Sequence, residues 1–190
     1  MKCGLIRGSM APAESSPALS PSPVAAPRAN LLVGILRRFG WLIVVAVIGI
    51  GGAIFAAHRD SSGNITQGGS LQICSLQVGD CFNPKDIHAT QAEEVDAKRC
   101  DETHQFEMMA IAAMPAGRYP TEADFESFVQ ATCVPAFADY VGIAYDASKL
   151  DVYWYFPLQD GWDAGDRTIQ CAVYDPLDSS LVGSLRGAAR

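Results

Sequence analysis

The residues whose side chains are most able to bind a metal or take part in catalysis lie close together near the middle of the chain. Cys100 and His104 are four positions apart, with Glu102 and Glu107 beside them and His88 upstream. Thiolate, imidazole and carboxylate are the ligands that zinc prefers. A strong zinc signature needs a second close pair of ligands, which this sequence lacks, and oxidation of Cys100 removes its thiolate. We therefore expect no metal and no cofactor, and we expect His104 to lie at a turn where its ring hydrogen-bonds to the backbone or to an acid.

A second polar group, Gly165-Asp166-Arg167, follows Trp162. A guanidinium binds carboxylates through two parallel hydrogen bonds, so Asp166 and Arg167 suggest a substrate clamp. Aspartate also caps tight turns, and a tryptophan covers the edge of a core. We expect a structural turn here, with Trp162 against the core.

The familiar catalytic patterns are not found in this sequence. It has no Gly-x-Ser-x-Gly elbow, no His-Glu-x-x-His pair and no phosphate-binding glycine loop. We therefore expect a protein that is not an enzyme. The alternative is a scattered active site, which a single sequence does not reveal.

One helix is predicted after Thr121, which is a good N-cap followed by acidic residues that favour the positive end of a helix. Apolar residues recur at helical spacing from Phe125 through Cys133 to Phe137. Pro135 interrupts the pattern, so we expect two helical pieces that meet near Cys133.

Alternating apolar and polar residues predict strands at five places. These are Glu94–Arg99, His104–Ala112, Leu150–Phe156, Ile169–Val173 and a short last strand at Leu181–Leu185. If Trp154 and Phe156 face the core, Tyr153 and Tyr155 stand on the opposite face. There they either contact a protein or a glycan, or lie under a further helix or loop.

The apolar run 39–57 holds nineteen uncharged residues, enough for a helix that crosses a hydrocarbon core of about 30 Å. Arg28, Arg37 and Arg38 precede it closely, whereas only Arg59 follows it before Lys85. This asymmetry predicts a single-pass anchor with the N-terminus in the cytoplasm and the C-terminal domain outside the cell membrane.

Composition divides the rest of the chain. Residues 1–38 are rich in Ala, Ser and Pro and predict a disordered cytoplasmic tail, in which Met10 is an alternative start. Residues 58–70 are rich in Gly and Ser and predict a flexible linker. The folded extracytoplasmic domain is then 71–187, long enough for one core.

Charge follows the same division. Residues 1–57 hold five Lys and Arg against one acid, and residues 58–190 hold nine against twenty, so that the outer part carries a formal charge of −11. Binding of nucleic acid needs a basic surface. We therefore expect no nucleic-acid partner.

Five cysteines follow the apolar run, and an extracytoplasmic compartment permits them to oxidise. Cys171 points to the sheet face that the helix covers, so a bridge to Cys133 is favoured. Elimination then favours Cys81 with Cys100. Cys74 stays free, links two chains into a homodimer, or displaces Cys81. The predicted fold is α+β, a small antiparallel sheet with a helix on one face, stapled by disulfides and preceded by one transmembrane helix.

The domain resembles the septum-formation domain family over almost its whole length. The residues that carry the resemblance are Leu76-Gln-Val-Gly-Asp-Cys81-Phe82, Val95 to Cys100, Asp101-Glu-Thr-His104-Gln-Phe-Glu107, Tyr119-Pro120, Cys133, Pro157, Trp162, Gly165-Asp166-Arg167 and Cys171. Its members are typically actinobacterial envelope proteins with a single span or a lipid anchor. The resemblance implies four paired cysteines and no enzymatic activity. Cys74 departs from the pattern.

These observations predict a membrane-anchored interaction module with a protein partner in the division or envelope machinery. The alternative is an anchored enzyme or sensor that acts on cell-wall material. A polar pocket that gathers His104, Glu107 and Asp166 favours this alternative.

Overall fold

A computed structural model describes residues 56–86, 89 and 91–190, together with the backbone of residues 5–7. This part of the chain contains ten strands and two α-helices. The strands are β1 Leu5–Arg7, β2 His58–Arg59, β3 Ile65–Gln67, β4 Gly69–Gln72, β5 Cys81–Pro84, β6 Gln91–Ala92, β7 Glu94–Lys98, β8 Phe106–Ala113, β9 Asp151–Pro157 and β10 Thr168–Tyr174. The helices are α1 Glu122–Val141 and α2 Gln159–Asp163, and 3-10 turns lie at Ile73–Ser75 and Tyr145–Ala147.

Eight of these strands form one antiparallel sheet in the order β4-β7-β5-β8-β10-β9-β1-β6. Strands β8, β10 and β9 form its centre and make the longest pairings. Strands β6 and β7 are separated by Glu93 alone, yet β6 is an edge strand and β7 lies near the other edge. The sheet must therefore curl until its two edges approach each other.

The predicted helix after Thr121 is confirmed. Thr121 and Asp124 form a reciprocal capping box, and Gly142 ends the helix in the left-handed conformation at φ 87°. The prediction of two pieces is wrong, because α1 runs through Pro135 without a break. Pro135 and Ala131 both lie on the exposed face, so water can satisfy the Ala131 carbonyl that proline leaves without a donor.

Each face of the sheet packs against its own core. On one face α1 buries Phe125, Val129 and Phe137 against β8, β9 and β10. Trp154 and Phe156 pack on this side, as the alternation in β9 predicts.

The opposite face carries the second core, in which Ile73 and Leu76 cover Phe82 and Phe106. Tyr155 is 2% exposed in this core, so the expectation that it is presented to a partner is wrong. Tyr153 is half-buried and packs edge-on against Phe106, with ring centroids 5.2 Å apart. The alternative of a covering loop is therefore the one that this face adopts.

Residues 58–70, expected to be a flexible linker, are instead structured. Strands β2 and β3 pair as a hairpin, and β4 joins the edge of the main sheet. Arg59 binds Asp80 through two hydrogen bonds of 2.6 and 2.5 Å, which hold the hairpin against the domain. The serine and glycine content predicted a flexible segment. The ion pair between two residues far apart in the sequence instead holds this segment in a fixed position.

Two further expectations need correction. Leu181–Leu185 is not a strand, because Leu181 makes only an isolated bridge with His104. Leu5–Arg7, which falls in the expected disordered tail, pairs as β1 with β9 and β6.

The described residues include no helix long and apolar enough to cross a membrane. The expected span, 39–57, and most of the expected tail lie outside the described residues. His88 lies outside them as well.

Two disulfides join the elements as the sequence analysis favours. Cys81 of β5 is bonded to Cys100 at the end of β7, and Cys133 of α1 is bonded to Cys171 of β10. Cys74 is also disulfide-bonded. The alternatives in which Cys74 is free or displaces Cys81 are therefore wrong, whereas a link between two chains stays a prediction.

Candidate functional site

A polar cavity of about 390 Å³ opens at the end of the sheet where β8 begins. Its walls are the turn of the β2–β3 hairpin, residues 62–65, and the loop 77–81. The Cys81–Cys100 disulfide, Glu107, Ser184 and the cations Lys98 and Arg186 complete the lining.

Asp80 fixes the loop that forms one wall. Its carboxylate binds the Arg59 guanidinium and accepts a hydrogen bond of 2.6 Å from the Gln77 amide. The hydrogen bond to Asp80 raises the pKa of Arg59. Gly79 follows the turn at φ 101°, a conformation that favours glycine, and its amide donates to the Met108 carbonyl at 2.7 Å.

Glu107 is a fully buried carboxylate at the floor of the cavity. The Tyr140 and Ser184 hydroxyls donate to its Oε1 at 2.5 and 2.6 Å, and the Leu185 amide donates to Oε2 at 2.5 Å. Three donors replace the water that the buried charge has lost. Burial and the bond to Glu107 raise the pKa of Tyr140.

His104 lies behind the cavity wall and is also fully buried. Its Nδ1 lies 2.9 Å from the Glu102 carbonyl oxygen. A carbonyl only accepts hydrogen bonds, so Nδ1 carries the hydrogen. Nε2 has no hydrogen-bond partner among the described residues. The prediction of a turn histidine bonded to the backbone agrees with this geometry.

His104, Glu107 and Cys81 form one cluster. A ring nitrogen of His104, a carboxylate oxygen of Glu107 and the Cys81 sulfur all lie within 4.8 Å of one another. Sulfur, nitrogen and oxygen ligands suit zinc, but Cys81 is oxidised and the oxygens of Glu107 already have three donors. The arrangement does not favour a metal ion in the oxidised protein.

Asp166 and Arg167 do not join this cluster. The cavity lies at the Phe106 end of β8, whereas Asp166 precedes Thr168, which pairs with Ala113 at the other end. At about 3.3 Å per residue the two ends are about 20 Å apart. The pocket of His104, Glu107 and Asp166 that would favour an enzyme is therefore only partly formed.

The Gly-Asp-Arg motif builds the turn after α2. Asp166 accepts a hydrogen bond of 2.9 Å from the Thr168 amide, and Arg167 donates to the Trp162 carbonyl at 2.5 Å. The Arg167 guanidinium also lies 3.8 Å from the centre of the Trp162 ring, and Trp162 is 3% exposed. The motif has the geometry of the structural turn that we expect from the sequence.

Sequence reasoning missed several residues that shape the site, namely Arg59, Asp80, Tyr140, Ser184 and Arg186. Tyr140 and Ser184 reach Glu107 from positions 33 and 77 residues away. No local pattern marks such long-range hydrogen bonds. Asp80 alone gave a signal, because it lies beside Cys81 in a short polar turn between apolar residues.

Comparison with known proteins gives one finding. The family model described as "Septum formation" matches residues 62–188, which include the whole cavity, both disulfides and the Gly-Asp-Arg turn. Neither a curated protein nor a solved structure matches the chain significantly. The match extends over more than half of the chain and confirms the resemblance to this family. The chain belongs to the septum formation family.

Proposed function

We propose that this chain is a single-pass, membrane-anchored module that binds a protein partner of septum formation or envelope assembly on the outer side of the membrane. Family membership supports the process. The charged flanks of the apolar run support the orientation, and the disulfides support an oxidising compartment.

The proposed role in protein binding is supported by one observation in the structure. Large apolar side chains are exposed around the polar cavity. Val78 in the cavity wall is 45% exposed, and Val182 is 63% exposed. Val182 does not line the cavity, but it adjoins Gly183, whose amide donates at 2.7 Å to the carbonyl of Cys100 in the lining, so Val182 is close to the cavity. Exposed apolar side chains that lie close together beside polar groups are typical of surfaces that bind proteins.

One feature opposes a single crossing of the membrane. Strand β1 precedes the apolar run, and the sheet with which it pairs follows the run. A helix that crosses once places these segments on opposite sides of the membrane. The β1 pairing and the proposed topology therefore exclude each other, and the choice between them can be measured.

Site-specific photo-crosslinking in growing cells of the native host tests the interaction. A photoreactive residue replaces Val182 in the full chain, with Gln130 on the exposed face of α1 as the matched control. We expect a crosslink to a septal or envelope-assembly protein from position 182 and none from position 130. Equal products at both positions, or none at 182, contradict the proposed surface.

The second candidate function is an anchored enzyme or sensor for cell-wall material. The meeting of His104 and Glu107 beside a cavity favours it. Calorimetric titration of the full chain with soluble cell-wall fragments separates the candidates. The interaction proposal predicts no saturable binding, whereas binding that Arg186→Gln abolishes supports the second candidate.

A further inference from the structure

The two fully described disulfides differ in their access to solvent. Cys133 and Cys171 are each 0% exposed between helix and sheet. Cys100 is only partly buried, and it lines the cavity together with Cys81, which is 0% exposed. An incoming thiolate can therefore reach Cys100 from the cavity, and the sulfur that leaves is the buried Cys81.

His104 lies beside the Cys81 sulfur, which is the leaving group, and can serve as its proton donor. A ring nitrogen of His104 and the Cys81 sulfur lie within 4.8 Å of each other. Nδ1 is engaged with the Glu102 carbonyl, whereas Nε2 has no hydrogen-bond partner among the described residues and is the nitrogen left for proton transfer. An imidazolium beside a cysteine stabilises its thiolate.

Fixed charges around the disulfide suit the same reaction. Glu107 is held by its three donors close to His104. Lys98 and Arg186 line the cavity that an anionic thiolate must enter, and Lys98 also forms an ion pair with Asp96 at 2.7 Å. The charge of Asp80, the other acid in the wall, is paired with Arg59.

We propose that Cys81–Cys100 is a thiol–disulfide exchange site that takes electrons from a protein dithiol. One thiolate of the partner attacks Cys100 Sγ, which forms a mixed disulfide and breaks the bond to Cys81. The Cys81 thiolate takes its proton from His104. The second thiol of the partner then attacks the mixed disulfide and releases Cys100. The first thiol of the partner gives its proton to solvent before it attacks, and His104 regains a proton from solvent. The second thiol loses its proton as it attacks, and the released Cys100 thiolate takes one up. The net reaction passes two electrons and two protons from the partner to Cys81 and Cys100, and the partner leaves as a disulfide.

The test is a time course of reduction of the full chain in detergent micelles by dithiothreitol. Free thiols are alkylated at each time point, and mass spectrometry of the digest gives the reduced fraction of each disulfide. Cys133–Cys171 is the internal control. We expect Cys81–Cys100 to be reduced at least about a hundred-fold faster, since exchange rates depend on access to the sulfur. Equal rates, or loss of Cys81–Cys100 only as the protein unfolds, overturn the proposal.

Variants separate the proposed chemistry from simple exposure. His104→Asn retains a donor for the Glu102 carbonyl and removes the acidic nitrogen, so we expect reduction of Cys81–Cys100 to slow by about ten-fold or more. Lys98 is partly exposed and ion-paired with Asp96, outside the two cores. Lys98→Gln therefore tests the charge without disturbing the core, and we expect slowing of about three-fold at low salt. Arg118→Gln, near the Trp162 end, is its control. A rate that neither His104→Asn nor Lys98→Gln changes contradicts the assigned roles.

Discussion

At the scale of single residues, Glu107 shows how far local sequence can mislead. Its neighbours Cys100 and His104 suggest a ligand set, and the three residue types do meet, although Cys81 takes the place of Cys100 in the cluster. Both carboxylate oxygens are nevertheless occupied by donors from α1 and from the C-terminal segment. Sequence could predict that the chemistry clusters, but not that this carboxylate holds the fold together.

Glu107→Gln should destabilise the domain. The amide keeps one acceptor and places a donor against groups that also donate, so we expect a loss of about 3 kcal/mol in the free energy of unfolding. Urea denaturation followed by circular dichroism measures it. Exposed Glu93→Gln serves as the control and should change stability little. A Glu107→Gln protein as stable as the Glu93→Gln protein would show that the buried carboxylate is not structural.

Tyr145 should make the free energy of unfolding depend on pH in the alkaline range. Its hydroxyl donates to Asp151 Oδ1 at 2.5 Å, and this bond together with burial raises the pKa of Tyr145 from 10.0 to about 12. Because the folded pKa is raised, the contribution to stability is complete below the unfolded pKa and is lost as pH rises through about 12.

Tyr145→Phe should therefore flatten the dependence of stability on pH in this interval. Denaturation is measured at several pH values from below 10 to above about 12 for both proteins. We expect the wild type to lose more stability across the interval than the variant. Parallel curves would contradict the assigned bond.

At the scale of elements, what could be predicted depends on the length of the repeating pattern. The helix after Thr121 and the central strands β8, β9 and β10 span seven residues or more, and each was found close to its expected bounds. Strands of two to four residues, such as β2 and β5, carry too short a pattern to recognise. They form because distant partners, such as Asp80 for Arg59, hold them in place.

The N-terminal cap of α1 could be predicted from the sequence because its residues are close together in the chain. Thr121→Ala removes the side-chain oxygen that accepts from the Asp124 amide, so we expect a loss of about 1 kcal/mol. Thermal or urea denaturation measures the change. Exposed Thr103→Ala lies outside any helix and should have little effect. If the two variants are equally stable, the capping box does not contribute as described.

At the scale of the whole molecule, the open issue is which segments share a side of the membrane. Charge asymmetry predicts one crossing, with residues 1–38 inside. The pairing of β1 with β9 requires Leu5–Arg7 on the same side as the domain. Sequence could not anticipate this pairing, because three residues in an Ala, Ser and Pro-rich region carry no strand pattern.

A chain that begins at Met10 lacks β1 and decides between the two arrangements. If the single crossing is correct, β1 contributes nothing in the cell. We then expect the shortened chain to reach the same abundance in the host membrane as the full chain, with equal resistance to externally added protease. A marked fall in either quantity would show that residues 1–9 stabilise the domain and would argue against one crossing.

The central claim is that the cavity end of this domain binds a protein at the division septum. The most direct measurement is the distribution of the full chain in dividing host cells, with a fluorescent protein joined after Arg190. We predict enrichment at septa that Val182→Asp reduces to the level of the side wall, while Gln130→Asp on α1 leaves it unchanged. Uniform fluorescence of the wild-type protein around the envelope, or full septal enrichment of Val182→Asp, would contradict the claim.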